Sequence, residues 1–280
     1  MKRTLLSIAF ALVSLATVQA QTTTQQQPAS ASTSSAARID VERIVRSFTA
    51  KESEFRRALN NYSFKRDAVI QTLGLGGQIS GEYRRTSRFV FDDQGNRFEK
   101  IIFFPMPTIT EIGITAEDLE DLGGIQPFAL EASKAHLYNF NYVGKERIDE
   151  IDTYIFDVSP KVMPDPKKTK ERVFVGRIWV DDRDLQIVKA RGKGMPEDKN
   201  NKYATFETYR EQIDGRYWFP TYTYADDELV FDSGHVVRVR MRVRYSDFER
   251  LAGKVRIVEE GEPGVVEEPA KPAPTPTPKP

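Results

Sequence analysis

Only one stretch of this chain carries a long helical period, and most of the chain beyond it reads as strand and turn. Val41, Ile44, Val45, Phe48, Phe55, Ala58, Leu59 and Tyr62 recur at three- and four-residue steps, with Arg, Lys and Glu between them. The spacing predicts a helix from about Ile39 to Leu59, capped by Asp40 and broken at Asn60-Asn61. One amphipathic helix cannot bury its own apolar stripe. It has to lie on something, and the rest of the chain offers sheet.

The strands are predicted at Tyr62 to Leu73, Ile79 to Phe91 and Arg97 to Phe104, then at Leu137 to Arg147 and Tyr154 to Ser159. Further strands are expected at Arg172 to Val180, Leu185 to Arg191, Tyr203 to Ile213, Arg216 to Tyr224 and His235 to Phe248. Gly74-Leu75-Gly76-Gly77, Asp92-Asp93-Gln94-Gly95-Asn96 and Asp214-Gly215 supply turns, the last being the strongest short hairpin signal. About ten antiparallel strands exceed what a flat open sheet usually carries, so the sheet should curl. The fold class is therefore α+β: an unclosed, curled antiparallel sheet packed on an N-terminal helix.

One apolar excursion interrupts this meander. Thr115-Ala116-Glu117-Asp118 looks like a capping box opening a short helix that ends at Gly123-Gly124. Ile112, Ile114, Leu119, Leu122 and Phe128 would then form a lid over one mouth of the sheet, or an ordinary cover for its end.

The two ends have a different character. Met1-Lys2-Arg3, the apolar run Leu5 to Ala16 and the small residues of Val18-Gln19-Ala20 have the form of an export signal cut after Ala20. Residues 21–37 hold only Gln, Thr, Ser, Ala and one Pro, a flexible leader by composition. From Glu259 to Pro280 the chain is acidic and then Pro-rich, a composition suited to an extended tail. Residues 38–258 remain as one domain of roughly 220 residues, long enough for a substantial core.

Composition removes several kinds of chemistry. With 41 basic and 41 acidic residues there is no bulk attraction to nucleic acid. With no cysteine there are no disulfides, no thiolate catalysis, no Cys-ligated metal and no acceptor for a lipid anchor. His136 and His235 are the only histidines, too few for a multi-histidine metal site. No cofactor is expected. The clusters Asp92-Asp93, Asp149-Glu150-Asp152, Asp181-Asp182-Asp184 and Asp226-Asp227-Glu228 fall where turns are needed and lack calcium-loop spacing. No Gly-x-Ser-x-Gly elbow or phosphate loop occurs, which leaves an exported hydrolase as the weakest reading.

The last strand says more. Val237, Val239, Met241, Val243 and Tyr245 fall on one face, and Arg238, Arg240, Arg242 and Arg244 fall on the other. Four guanidiniums in one row repel unless acids such as Glu207 and Glu211 lie across from them, or an anionic partner does. The strands are also heavy with aromatics: Phe89, Phe91, Phe103, Phe140, Tyr142, Tyr154, Phe156, Trp179, Trp218 and Phe219. These either fill the interior or line a cavity for an apolar ligand.

An export signal, an amphipathic helix and an antiparallel meander with a helical insertion together resemble the periplasmic lipoprotein-carrier and lipoprotein-sorting family (the LolA/LolB type). The segments Val175-Gly176-Arg177-Ile178-Trp179-Val180-Asp181 and Ile213-Asp214-Gly215-Arg216-Tyr217-Trp218-Phe219-Pro220 look like strand-turn segments of such proteins. The resemblance spans roughly residues 40–250. It implies an unclosed barrel around helices and a hydrophobic cavity for the acyl chains of lipoproteins or lipids, in a monomeric, non-enzymatic periplasmic carrier. Relatives of that shape include the sensor that restrains an envelope-stress anti-sigma factor, so a module binding another envelope protein is the alternative. This chain departs from the familiar carriers in its length, its Pro-rich tail and its arginines.

Overall fold

The structure is a computed structural model that describes residues 39–115, 130–169 and 171–251. The expected export signal, leader and tail, and the helix expected after Thr115, lie outside the described residues. α1 (Val41–Leu59) is capped as its sequence predicts, Asp40 accepting a hydrogen bond from the Arg43 amide at 2.9 Å. Glu42 in the first turn and Arg56 and Arg57 in the last complement the helix dipole. Ile44, Phe48, Phe55 and Leu59 share the buried face.

Ten antiparallel strands come after it: β1 (Tyr62–Leu73), β2 (Ile79–Phe91), β3 (Arg97–Phe103), β4 (Tyr138–Ile148), β5 (Ile151–Pro160), β6 (Val173–Asp181), β7 (Ile187–Met195), β8 (Phe206–Ile213), β9 (Tyr217–Val230) and β10 (Val236–Arg250). They form one sheet in the order β3-β2-β1-β10-β9-β8-β7-β6-β5-β4. The last strand thus pairs with the first, and β3 and β4 are the two edges. The sheet is not closed.

Its curl is evident from the strands that one helix touches. The Phe48 ring meets Phe140 of β4 at 5.4 Å and Phe156 of β5 at 5.7 Å, near one edge of the sheet. Two turns along, Phe55 meets Phe219 of β9 at 5.5 Å, and Leu59 shares a buried cluster with Phe64 of β1 and Val243 of β10. A flat sheet cannot present strands so far apart to one 19-residue helix. Burying four large side chains on that helix stabilises the fold by about 1.5–3 kcal/mol each. Beneath it Ile178, Ala190, Thr208, Thr223, Val243 and Ala68 lie in one row from β6 to β1. The Thr208 and Thr223 hydroxyls are buried and satisfy each other at 2.9 Å.

A close approach at β6 and β7 depends on two glycines. Gly176 and Gly192 are paired, and a Cβ on Gly176 would stand 2.2 Å from the Arg191 carbonyl and 2.8 Å from the Phe174 ring. The two glycines let Phe174 fold flat over the pair, where it is fully buried.

Asp214 and Gly215 both take positive φ, 53° and 65°, as their hairpin requires. Two acidic clusters differ from their expected turns. β5 begins at Ile151, so Asp152 is in a strand. β9 continues through Asp226-Asp227-Glu228 to Val230, because β10 pairs with these residues beyond the end of β8. β8 in turn starts at Phe206, later than expected, since the preceding segment is held across the sheet by the Thr205 amide on the Asp227 carboxylate at 2.8 Å.

Candidate functional site

α1 covers the Phe64 and Phe219 end of the concave face, and the other end is left to loops. There Ile70 of β1, Val239 and Met241 of β10, Leu229 of β9 and Phe206 of β8 wall an apolar cavity of about 330 Å³. Two loops complete it: residues 111–114, bringing Ile112 and Ile114, and residues 200–204, bringing Asn200, Asn201, Lys202, Tyr203 and Ala204. A volume of this size is at the small end of ligand pockets.

The first loop is pinned from below. Glu111 accepts hydrogen bonds from Ser80 at 2.9 Å and Thr72 at 3.1 Å, and the Ser80 bond leads in holding its carboxyl below the usual carboxylate range. The Thr108 amide donates to the Glu82 carbonyl at 2.9 Å. Gly81 makes the crossing possible: a Cβ there would stand 2.7 Å from Cα of Ile109 and 3.0 Å from the Thr108 carbonyl. The second loop is fixed by Lys202, which bonds Asp232 at 2.8 Å, a contact that raises its pKa, and by the Arg172 guanidinium 4.9 Å above the Tyr203 ring. The cavity is therefore apolar inside, with a rim of charged and amide side chains, Glu111, Arg172, Lys202, Asn200 and Asn201.

Ile112 and Ile114 sit in the cavity wall. Leu119, Leu122 and Phe128 lie outside the described residues. The ten aromatics have other surroundings. Phe140, Tyr142 and Phe156 form a chain of rings beneath Phe48, with Tyr154 6.3 Å from Tyr142. Phe219 lies under Phe55 and Tyr62. Phe89 stacks on Phe64 at 4.6 Å with the Arg66 guanidinium above it. Trp179 and Trp218 pack with Ile155 and Val188 on the face away from α1, and their ring N–H groups donate to Glu146 and Asp184. Phe91 closes the end of β2, and Phe103 stands exposed on edge strand β3. The helix occupies the part of the concave face that Phe140, Phe156 and Phe219 would otherwise have lined, and the cavity falls to Ile70, Leu229, Val239 and Met241 together with Phe206 and Phe231.

The four arginines of β10 divide into two pairs. Arg238 and Arg240 both reach Asp226 of β9, at 3.4 and 2.8 Å, and the Arg240 bond leads in holding the Asp226 carboxyl low. Glu207 is engaged elsewhere, by Lys189 at 2.9 Å. Arg242 and Arg244 are exposed, and Arg244 covers the Tyr222 ring at 5.6 Å.

No protein-family model and no curated protein matches the sequence. Among solved structures the chain is similar to a DUF1329 family protein from Desulfovibrio piger (16% identity, 75% of this chain and 93% of that one, TM-score 0.38). It is similar to a domain named for outer-membrane lipoprotein sorting from Vibrio parahaemolyticus (13% identity, 73% and 93%, TM-score 0.35). A third is a LolA superfamily protein from Nitrosomonas europaea (15% identity, 72% and 93%, TM-score 0.31).

Proposed function

We propose that this protein is a non-enzymatic carrier of the cell envelope, exported to the periplasm, that holds an acyl chain of a lipid or lipoprotein in the cavity between β1, β8, β9, β10 and the loop at Ile112. The observation that carries this reading is the cavity itself: apolar walls, a polar rim and a loop across it. At the volume share of a water-sized group, about 30 Å³, it accommodates about ten methylenes. Each contributes about 0.8 kcal/mol, giving roughly 8 kcal/mol before ordering costs, close to micromolar affinity. That suits a carrier, which has to release what it binds. Lys202 and Arg172 at the rim would face the anionic or ester end of such a ligand.

Native mass spectrometry of the protein from its producing cells, with titration of a fluorescent acyl probe, tests the reading. A co-purifying acyl species and saturable uptake are expected. Loss of both, at full retention of fold, would overturn it.

A further inference from the structure

The face turned away from α1 carries a charge pattern that the fold itself does not need. Along the paired strands Lys65 of β1, Arg88 of β2 and Lys100 of β3 lie side by side in one row. One row on, Arg244 stands beside Asp67, and one further Arg242 and Arg84 flank Val69 from either side, about 10 Å apart across two strand spacings. Six cations thus share three adjacent rows with one carboxylate. Asp67 is itself taken by Lys65 at 3.1 Å and by the Thr86 hydroxyl at 2.6 Å. Among the described residues only Arg88 finds another acid, Glu249 at 3.2 Å. Like charges directly opposite one another destabilise a sheet. By contrast, the neighbouring Arg238 and Arg240 share the Asp226 carboxylate.

Beside these cations the sheet ends in apolar side chains. Ile102 and Phe103 of β3 are 57% and 49% exposed, Met106 beyond them is 87% exposed, and Arg84 lies over the Phe103 ring at 5.8 Å. Guanidinium and ammonium groups next to exposed Ile, Phe and Met match the two-part chemistry of a bilayer surface, anionic headgroups with apolar chains just below.

We infer that the outer face of β10, β1, β2 and β3, with Arg84, Arg242 and Arg244 at its centre and Phe103 at its edge, docks on an anionic phospholipid bilayer. The inference rests on the carrier reading in one respect: a protein that takes or delivers an acyl chain has to meet a membrane. The charged face stands on the side of the sheet opposite α1, so docking leaves the helix and the concave side free.

Cosedimentation of the full chain with vesicles of phosphatidylglycerol and phosphatidylethanolamine, against phosphatidylcholine alone, tests this. The expected result is binding to the anionic vesicles only, weakening as salt rises. Each basic residue near such a surface is worth roughly fivefold. The combined Arg84→Ser, Arg242→Ser and Arg244→Ser variant should therefore lose more than about tenfold, with an unchanged melting temperature. Arg238→Ser with Arg240→Ser should lose much less. If the triple variant folds poorly, Lys100→Ser with Phe103→Ser serves in its place. Equal binding to both vesicle types, variants that bind like the parent, or retention on immobilised poly-glutamate without vesicle binding would overturn the inference. Acyl-probe uptake without vesicles is measured in parallel. A parent that binds vesicles but takes up no probe would sink the carrier reading and leave the docking face standing.

Discussion

Arg210 of β8 grips the Glu52 carboxylate of α1 with both terminal nitrogens, one of them at 3.0 Å, and neither side chain is open to water (6% and 2% exposed). The same guanidinium lies 4.9 Å from the centre of the Phe55 ring, so charge and aromatic packing meet where the helix crosses the sheet. Removing either partner alone leaves a buried, uncompensated charge and should cost about 3–5 kcal/mol. Replacing both, as Glu52→Leu with Arg210→Met, should cost far less than the sum of the single changes. Urea denaturation of the four proteins gives the coupling directly, and additive losses would contradict it.

A second contact ties the helix end to a hairpin. The Tyr62 hydroxyl donates to Asp214 at 2.7 Å, and burial, then that carboxylate, pushes its pKa up from the ordinary value of 10.0 to about 12. The folded state prefers the neutral phenol more than the unfolded state does. Its contribution is therefore fully present below pH 10 and lost as pH rises towards 12, by up to roughly 3 kcal/mol. Tyr62→Phe should lower stability at neutral pH and reduce the slope between pH 10 and 12. Denaturation midpoints across that window decide it.

The cavity makes a prediction about filling. Met241 is half-buried on its wall, next to Ile70 in the sheet register. Met241→Trp should occupy the space meant for methylenes and weaken acyl-probe uptake at least about tenfold. The variant's stability should stay within about 1–3 kcal/mol, the ordinary range for overpacking. Uptake unchanged at that fill would place the ligand elsewhere.

Gly81 carries the loop. Any Cβ there collides with backbone of residues 108 and 109, and backbone cannot turn aside as a side chain tip can. Gly81→Ala should displace the loop, draw Ile112 and Ile114 off the cavity and speed release of bound probe. Measured dissociation rates equal to the parent's would show that the loop does not hold the ligand.

Much of this architecture was legible because it depends on local signals. The helix rests on a three-four spacing and on Asp40, the β8–β9 hairpin on Asp214-Gly215, and β10 on strict alternation of Val and Arg. The site was harder to read, since a cavity is defined by what fails to fill a space. Phe156 and Phe219 have the right chemistry to line one, but α1 lies on them. Ile70, Leu229 and Val239 line it because two loops, not the helix, cover that end. The charged face was half visible. Alternation placed four arginines of β10 on one side. Which two keep an acid depends on the register of the β9–β10 hairpin, and that Lys65, Arg84, Arg88 and Lys100 join them depends on β10 pairing with β1, more than a hundred residues away in sequence.

Asp226 sets the boundary of that face, and changing it separates neutralised from available charge. It accepts from Arg240 at 2.8 and 3.0 Å and from Arg238 at 3.4 Å. The Tyr224 hydroxyl adds a fourth bond at 3.2 Å. Asp226→Asn keeps the shape and removes the charge, leaving two more guanidiniums for an anionic surface. Binding to phosphatidylglycerol vesicles should then rise by roughly fivefold, the worth of one additional net positive charge near the headgroups, and the gain should vanish at high salt. Asp226→Asn added to Arg238→Ser and Arg240→Ser should bring a smaller gain, because it then only removes a carboxylate that repels the headgroups and releases no guanidinium. A gain of undiminished size in that triple variant would mean the effect does not pass through these arginines.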